Sequence, residues 1–325
     1  MKLLITGGAG FIGSHLAEAR LAAGDEVTVI DDLSTGAREN IVHLENDAAF
    51  TFVRDSVCNE TVMTTLMRDV DAVVHLAAAV GVQLIADDPA GTIETNIHGS
   101  EVVLSLAAKF SRRVLLASTS EVYGKSANTP FREDDDVVFG STRFSRWCYG
   151  CSKMVDEFLA LAYHEQYGLE TIVCRFFNVV GPRQTGRYGM VVPRFVQRAL
   201  RGEPLQIVGD GRQVRCFCSV TDLVAMLSEL LTSDRAVGQV INVGSDEPVS
   251  IDELASRVIE LTGSASETIR VGYEEFYGRS MEDTPVRIPD LSRLHSLIET
   301  RRQRDLTATL RQVIEYERGR MDEAG

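Results

Sequence analysis

The sequence predicts an α/β fold in which a doubly wound parallel sheet carries a smaller C-terminal lobe. Three observations lead there. From the N-terminus to about residue 178, short β-branched apolar runs alternate with helical patterns, the signature of βαβ units. The runs are apolar almost without interruption, as expected of strands covered by helices on both faces. The first run ends in a glycine-rich turn that opens a helix.

Taken in order, the candidate strands are residues 3–6, 27–30, 50–53, 72–75, 114–117 and 171–174, and helical stretches span 14–23, 93–109 and 152–167. After Asn178 the pattern loosens. Gly181, Pro182, Gly186, Gly189, Pro193, Gly202, Pro204, Gly209 and Gly211 punctuate shorter helices. Residues 240–243 read as one more strand, 251–262 as a helix, and the tail from 301 to 325 as an amphipathic helix. The expected division is a dinucleotide-binding domain, 1–178, receiving parts of 215–243. Residues 179–325 then mainly form the smaller lobe.

Composition narrows the function classes. A chain of 325 residues with 44% apolar and 25% charged content builds a core without disulfide or metal staples. Lys and Arg total 33 against 47 Asp and Glu, a formal charge of −14, which leaves no electrostatic footprint for nucleic acid or an anionic membrane. No run of about 18 apolar residues predicts a membrane span, and residues 1–8 carry too short an apolar stretch for a secretory signal. Six cysteines in a chain this long suit a reducing compartment, so a cytoplasmic location is expected. Cys148 and Cys151 form a CxxC without a second pair, and the six histidines show no ligand spacing, so no metal site is expected.

The turn Thr6-Gly7-Gly8-Ala9-Gly10-Phe11-Ile12-Gly13 places Gly7, Gly10 and Gly13 at GxxGxxG spacing between a strand and a helix. The first glycine permits the tight turn, the second lets the backbone approach a pyrophosphate, and the third lets the helix pack on the sheet. The helix N-terminus then faces the anion. Asp31 closes the second strand eighteen residues beyond Gly13, with Asp32 next to it. A carboxylate there accepts hydrogen bonds from a ribose diol and disfavours a 2′-phosphate, so NAD is preferred over NADP.

Tyr149 and Lys153 stand at i, i+4, on one face of a helix. A lysine ammonium beside a phenol favours the phenolate, which would supply a base for a hydroxyl proton near neutral pH.

Together these residues resemble the extended short-chain dehydrogenases/reductases that modify nucleotide sugars. The resemblance runs over roughly residues 1 to 320. Its further elements, in the family's order, are Asp55 with Ser56, His75-Leu76-Ala77-Ala78, Asn96, Ser118-Thr119-Ser120-Glu121-Val122-Tyr123-Gly124, Tyr149-Gly150-Cys151-Ser152-Lys153 and Arg175-Phe176-Phe177-Asn178. Gly181-Pro182-Arg183, Pro193-Arg194-Phe195 and Gly209-Asp210-Gly211 with Arg215 follow. The resemblance implies a Rossmann-type fold with NAD held by the glycine turn, Phe11, Ile12, Asp31, Asp32, Asp55, Ser56, Leu76, Ala77, Ala78, Asn96, Ser118, Tyr149 and Lys153. It implies Tyr149 as base, Lys153 on the nicotinamide ribose and Thr119 on the reacting sugar hydroxyl. Asn178, Arg183, Arg194 and Arg215 would meet a UDP-sugar, with residues 181–189 as a substrate loop.

A 4-ketone formed on the sugar has three fates: C4 inversion, 4,6-dehydration, or loss of carbon dioxide when C6 is a carboxylate. Glu121 discriminates among them. By resemblance, many 4-epimerases carry a small or apolar residue there, whereas dehydratases and uronate decarboxylases carry Glu. Ser120 stands where dehydratases place an acid. The Ser118–Gly124 stretch (residues 118–124), Arg146-Trp147-Cys148-Tyr149 and Arg215-Cys216-Phe217 are similar to UDP-glucuronate decarboxylases, and decarboxylation is expected ahead of 4-epimerisation. Glu121 as a loop-shaping carboxylate and Trp147 as simple packing are the structural alternatives. The Gly-Trp common in the family after the Pro289-Asp290-Leu291-Ser292 element is missing. A homodimer is expected by resemblance, through helices carrying Leu104, Leu106, Phe158, Leu159 and Leu161.

Overall fold

A computed structural model describes residues 1–81, 87–186, 190–278 and 282–324. Strands β1 (Lys2–Thr6), β2 (Glu26–Ile30), β3 (Phe50–Val53), β4 (Ala72–His75), β5 (Arg113–Thr119) and β6 (Thr171–Phe176) form one sheet. The chain then leaves it through β7 (Val179–Val180), β8 (Leu205–Val208), β9 (Val214–Cys216) and β10 (Cys218–Ser219), and β11 (Val240–Val243) returns to pair with β6. The order is β11-β6-β5-β4-β1-β2-β3 and every pairing is parallel. The seven strands predicted for the sheet are its seven strands.

Helices α1 (Phe11–Ala22), α2 (Glu60–Arg68), α3 (Pro89–Phe110), α4 (Arg146–Tyr167), α5 (Val191–Leu200) and α6 (Val220–Thr232) follow in order. Successive strand residues point to opposite faces, so Leu3, Ile5 and Val29 pack with Leu16, Leu223 and Leu227 on one side. Leu4, Val73 and Leu116 pack with Met63, Met67, Val103 and Ala160 on the other. Both faces are therefore dry, which explains the uninterrupted apolar strands. Sheet order reverses between β1 and β4, and the crevice at their C-terminal ends is where open α/β sheets take ligands.

Three helices begin earlier than their apolar periodicity predicts. α1 starts at Phe11 behind Gly10, which caps it without a side chain. α3 starts at Pro89, the favoured first position, with Asp88 accepting from the Gly91 amide at 3.0 Å. α4 starts at Arg146, so Trp147, Cys148 and Tyr149 lie inside it.

The smaller lobe adds β12 (Pro248–Ser250), α7 (Ile251–Thr262), β13 (Thr268–Val271), α8 (Tyr273–Tyr277), β14 (Val286–Arg287), α9 (Ser292–Leu297) and α10 (Leu306–Ala324). β13 pairs with β8, and β9 lies between β12 and β14. Phe195, Val196, Leu254, Val258, Leu310 and Val313 make its core. Beyond β14 the chain crosses back to the sheet domain: the Phe131 amide donates to the Ile288 carbonyl, and Asn242 donates to the Asp290 carbonyl. The segment leading into and through β14, residues 283–287, lies against the end of β5. No helix among the described residues is long and apolar enough to cross a membrane.

Candidate active site

The glycine turn is built so that side chains cannot enter it. Gly7 has φ +70°, and a Cβ there would lie 2.7 Å from the Ala77 nitrogen. A Cβ on Gly13 would lie 2.4 Å from the Gly7 carbonyl oxygen, so α1 could not pack on the turn. A Cβ on Gly10 would meet only the Gly7 oxygen, at 3.1 Å, which leaves the side facing the crevice open. Asp31 is buried at the end of β2 and accepts from the amides of Ala9 (3.0 Å) and Leu33 (2.9 Å). Burial pushes its pKa up, against these amide bonds. Asp32 is exposed and accepts from Ser34 at 2.8 Å. Phe11 and Ile12 open α1 beside the turn, half-buried.

At the end of β4 the polar groups are tied together. His75 lies 2.7 Å from Thr6 Oγ1 and 3.2 Å from Ser100 Oγ, and burial with the Lys153 charge lowers its pKa to about 3, so it is neutral. Leu76, Ala77 and Ala78 follow, half-buried, and Ala77 donates to Thr6 Oγ1 at 3.2 Å. Asn96 on α3 accepts from the Ala79 amide at 2.8 Å and lies 3.2 Å from Ser152 Oγ. Asp55 accepts from the amide of Ser56 at 2.7 Å at the β3 end.

Tyr149 and Lys153 both lie on α4, 8% and 3% exposed. The Tyr149 hydroxyl is hydrogen-bonded to Thr119 at the end of β5. Thr119 Oγ1 also accepts from the Glu121 amide at 3.2 Å, and Ser120 is buried between them. Lys153 Nζ donates to Asp156 Oδ2 at 2.8 Å, a fully buried carboxylate one turn on. Burial, with the Glu121 and Asp156 charges, pushes the Tyr149 phenol well above its ordinary pKa, and the Thr119 bond and Arg146 only partly oppose them.

Beside Tyr149 lies a cluster of acids and arginines. Glu121 binds Arg146 through both guanidinium ends, one of them at 3.0 Å, and Arg287 at 3.3 Å. Asp283 accepts from Arg215 at 3.0 and 3.1 Å and from Tyr273 at 3.2 Å, and lies 3.5 Å from Arg287 and 3.8 Å from Arg146. Burial alone would raise both carboxyls, yet the arginines hold Glu121 and Asp283 below the usual range. Burial lowers Arg215 to about 10, with Arg287 adding to the effect. One pocket is lined by Glu121, Arg146, Tyr149, Asn178, Arg194, Arg215, Tyr273, Asp283 and Arg287 among others. Four arginines and three carboxylates line it: Glu282 is answered by Lys125 at 2.8 Å, Arg146, Arg215 and Arg287 face Glu121 and Asp283, and Arg194 lies over the Phe276 ring at 4.3 Å.

Most residues singled out from sequence thus come together, but two point elsewhere. Arg183 turns from the pocket to α1, donating to Glu18 at 2.7 and 3.0 Å. The Ser118 hydroxyl donates inward to Glu157, which also binds Arg175. Trp147 packs by Phe139 and donates to Glu282 at 2.9 Å. Asn178, at φ +35°, donates to the Cys216 carbonyl at 3.0 Å. Arg187, Tyr188 and Gly189 of the predicted substrate loop lie outside the described residues. Sequence reasoning missed Arg287, Asp283, Tyr273 and Asp156. Only Asp156 carried a signal, its i, i+3 spacing from Lys153.

The sequence model of the NAD dependent epimerase/dehydratase family matches residues 3–244. The chain belongs to that family. NAD is its cofactor, and the residues fit one: the glycine turn opens toward the crevice at Gly10, where α1 presents free amides, with Asp31 beside it. A UDP-N-acetyl-alpha-D-glucosaminuronate decarboxylase of Bacillus cytotoxicus is 40% identical over 92% of each chain. UDP-glucuronic acid decarboxylase 1 of Arabidopsis thaliana is 37% identical over 90% of this chain and 64% of its own. Among solved structures, the UDP-glucuronic acid 4-epimerase of Bacillus cereus, in complex with UDP-glucuronic acid and NAD, superposes with a TM-score of 0.88 at 29% identity. That match covers 98% of this chain and 99% of the other.

Proposed function

We propose that this family member decarboxylates a UDP-hexuronate through a transient 4-ketone. The observation that carries it is the charge balance at the Tyr149 end of the pocket. Arg146 and Arg287 both face Glu121, which leaves one buried positive charge for a substrate carboxylate, while Arg215 with Asp283 and Arg194 lie where a diphosphate can be met. A neutral hexose would leave that charge unpaired, at a cost of several kcal/mol. The decarboxylase relatives support the same reading.

Bound NAD supplies hydride acceptance and return at C4. Tyr149 Oη takes the C4 hydroxyl proton while Thr119 orients that hydroxyl, and Lys153 meets the nicotinamide ribose. With a ketone at C4 and a carboxylate at C6, the substrate is a β-keto acid. The C5–C6 bond breaks, carbon dioxide leaves, and the electron pair passes to the C4 oxygen as an enolate. Protonated Tyr149 stabilises that oxygen, and C5 then gains a proton. Arg146 and Arg287 orient the carboxylate beside Glu121. Asn178, Arg194 and Arg215 hold the nucleotide diphosphate.

The test is product analysis with UDP-glucuronate, UDP-N-acetylglucosaminuronate and UDP-glucose. Carbon dioxide and a five-carbon UDP-sugar from a uronate are expected. A C4-inverted sugar with every carbon retained overturns decarboxylation in favour of 4-epimerisation, the reading that the likeness to the Bacillus cereus epimerase favours.

Residues 1–178 with parts of 215–243 would then serve the cofactor, and 179–325 the sugar nucleotide. We further propose a homodimer through α3 and α4: Leu104 and Leu106, expected on that face, are instead buried in the core, and Ile93, Phe158 and Tyr167 are the exposed apolar groups there. A cytoplasmic location suits six cysteines that are all free.

A further inference from the structure

Lys153 and Asp156 form a buried ion pair that the chemistry above does not use. Asp156 is fully enclosed, Lys153 is 3% exposed, and Nζ lies 2.8 Å from Oδ2. The other carboxylate oxygen, Oδ1, makes no hydrogen bond. The Lys153 charge and the Ser100 hydroxyl are what offset the cost of burying that carboxylate. A hydrophobic residue there would leave the Lys153 ammonium buried without its partner, so the carboxylate belongs with the lysine.

Tyr149, Lys153 and Asp156 are spaced i, i+4, i+7, which stacks them on one face of α4 over two turns. Their chain links the base to the lysine, and the lysine to a carboxylate at the far end. We propose that Asp156 is a positioning residue: it holds Lys153 Nζ in place and, through its own charge, disfavours the Tyr149 phenolate. The inference rests on Tyr149 being the base, and not on which UDP-sugar is turned over.

Tyr149 is faced by Glu121 from the turn after β5, by Arg146 on its own helix and by Thr119 from β5. Lys153 is faced by His75 from β4, which is neutral. Asp156 is faced by Ser100 from α3, Lys153 and Glu157. Of these, Glu121 is already committed to Arg146 and Arg287. Asp156 is therefore the remaining acid whose removal favours the phenolate. Its charge raises the Tyr149 pKa, so losing it must move that pKa down. Two helical turns span about 10 Å, and one charge at that range shifts a pKa by about one unit at the effective dielectric of protein sites.

The test is Asp156→Asn, which keeps shape and hydrogen bonding but removes charge. Phenolate absorbance is titrated in NAD-saturated protein and in NAD-free protein, and the Tyr149 step is the one absent from Tyr149→Phe. We expect that step about one pH unit lower in Asp156→Asn, and back near its original position in Asp156→Glu. Whichever UDP-sugar is turned over, the acid limb of its kcat/KM profile should move down with the step. A lower Tm in Asp156→Asn with an unmoved step would overturn the proposal, because a purely structural pair predicts that outcome. Should Asp156→Asn fail to fold, Asp156→Ser is read in the same way. If no UDP-sugar reacts, the proposed activity fails while the titration still decides the role of Asp156.

Discussion

The two ends of the crevice are built from different material. At the cofactor end, backbone does the work: glycines 7, 10 and 13 within one turn, the amides at the start of α1, and a single carboxylate, Asp31, tied to Ala9 and Leu33. At the sugar end, side chains do it: Glu121, Arg146, Arg215, Asp283 and Arg287 meet across 166 residues of chain, as the Glu121–Arg287 pair shows. A backbone site tolerates little change in shape but much in neighbouring side chains. A side-chain site tolerates packing changes, but each charge depends on its partners. On the proposed reading, the first end serves the cofactor and the second is where the reaction is selected.

That contrast can be broken at either end. The largest effect is expected from Tyr149→Phe, which should lower kcat by about 10²–10⁴-fold, the usual worth of a general base, with NAD still bound in equilibrium dialysis. Glu121→Gln comes next. It leaves Arg146 and Arg287 buried without their carboxylate, and carbon dioxide release should fall on the order of 100-fold while NAD affinity holds. Equal loss of NAD binding would show that the two ends are not separable.

Gly13→Val attacks the other end. A Cβ within 2.4 Å of the Gly7 oxygen must displace α1, so NAD affinity measured by fluorescence quenching should fall at least about 10-fold, with a lower Tm. Asp31→Ala removes one charged acceptor, and a loss of about 10-fold in NAD affinity is expected, with NADP affected less. The smallest effect is on stability against pH. Glu121 and Asp283 have folded-state pKa values held below the usual range. Their contribution is therefore full above about pH 4.5, the ordinary carboxylate value, and is lost as the pH falls through the lowered values. Thermal melts of wild type and Glu121→Gln between pH 3 and 7 should converge at the acid end.

Much of the fold was legible because its signals are local. A strand buried on both faces must be apolar at consecutive positions, and a helix between two such strands must cross over them, so residues 3–6, 27–30 and 72–75 announced a parallel sheet. The helix starts were less legible. Gly10 caps α1 through its backbone alone, and α4 opens with Arg146, Trp147 and Cys148, whose partners lie elsewhere in the chain. Tyr149 and Lys153 could be placed on one helix face from spacing, but the reach of the lysine could not. Lys153 is paired with Asp156, which is sealed from water, and spacing carries no information about burial. Arg183 shows the same limit from the other side: its motif matched, yet Glu18 of α1 holds its guanidinium away from the pocket.

By itself, then, the sequence determined the parallel sheet, the glycine turn with Asp31, and the Tyr149–Lys153 face, since each depends on residues within a few turns or one βαβ unit. Only the tertiary structure decided the charge of the sugar end. The segment leading into β14 sets Asp283 and Arg287 against Glu121 and Arg146. An ion pair is a matter of distance and desolvation, and neither is encoded at any one position.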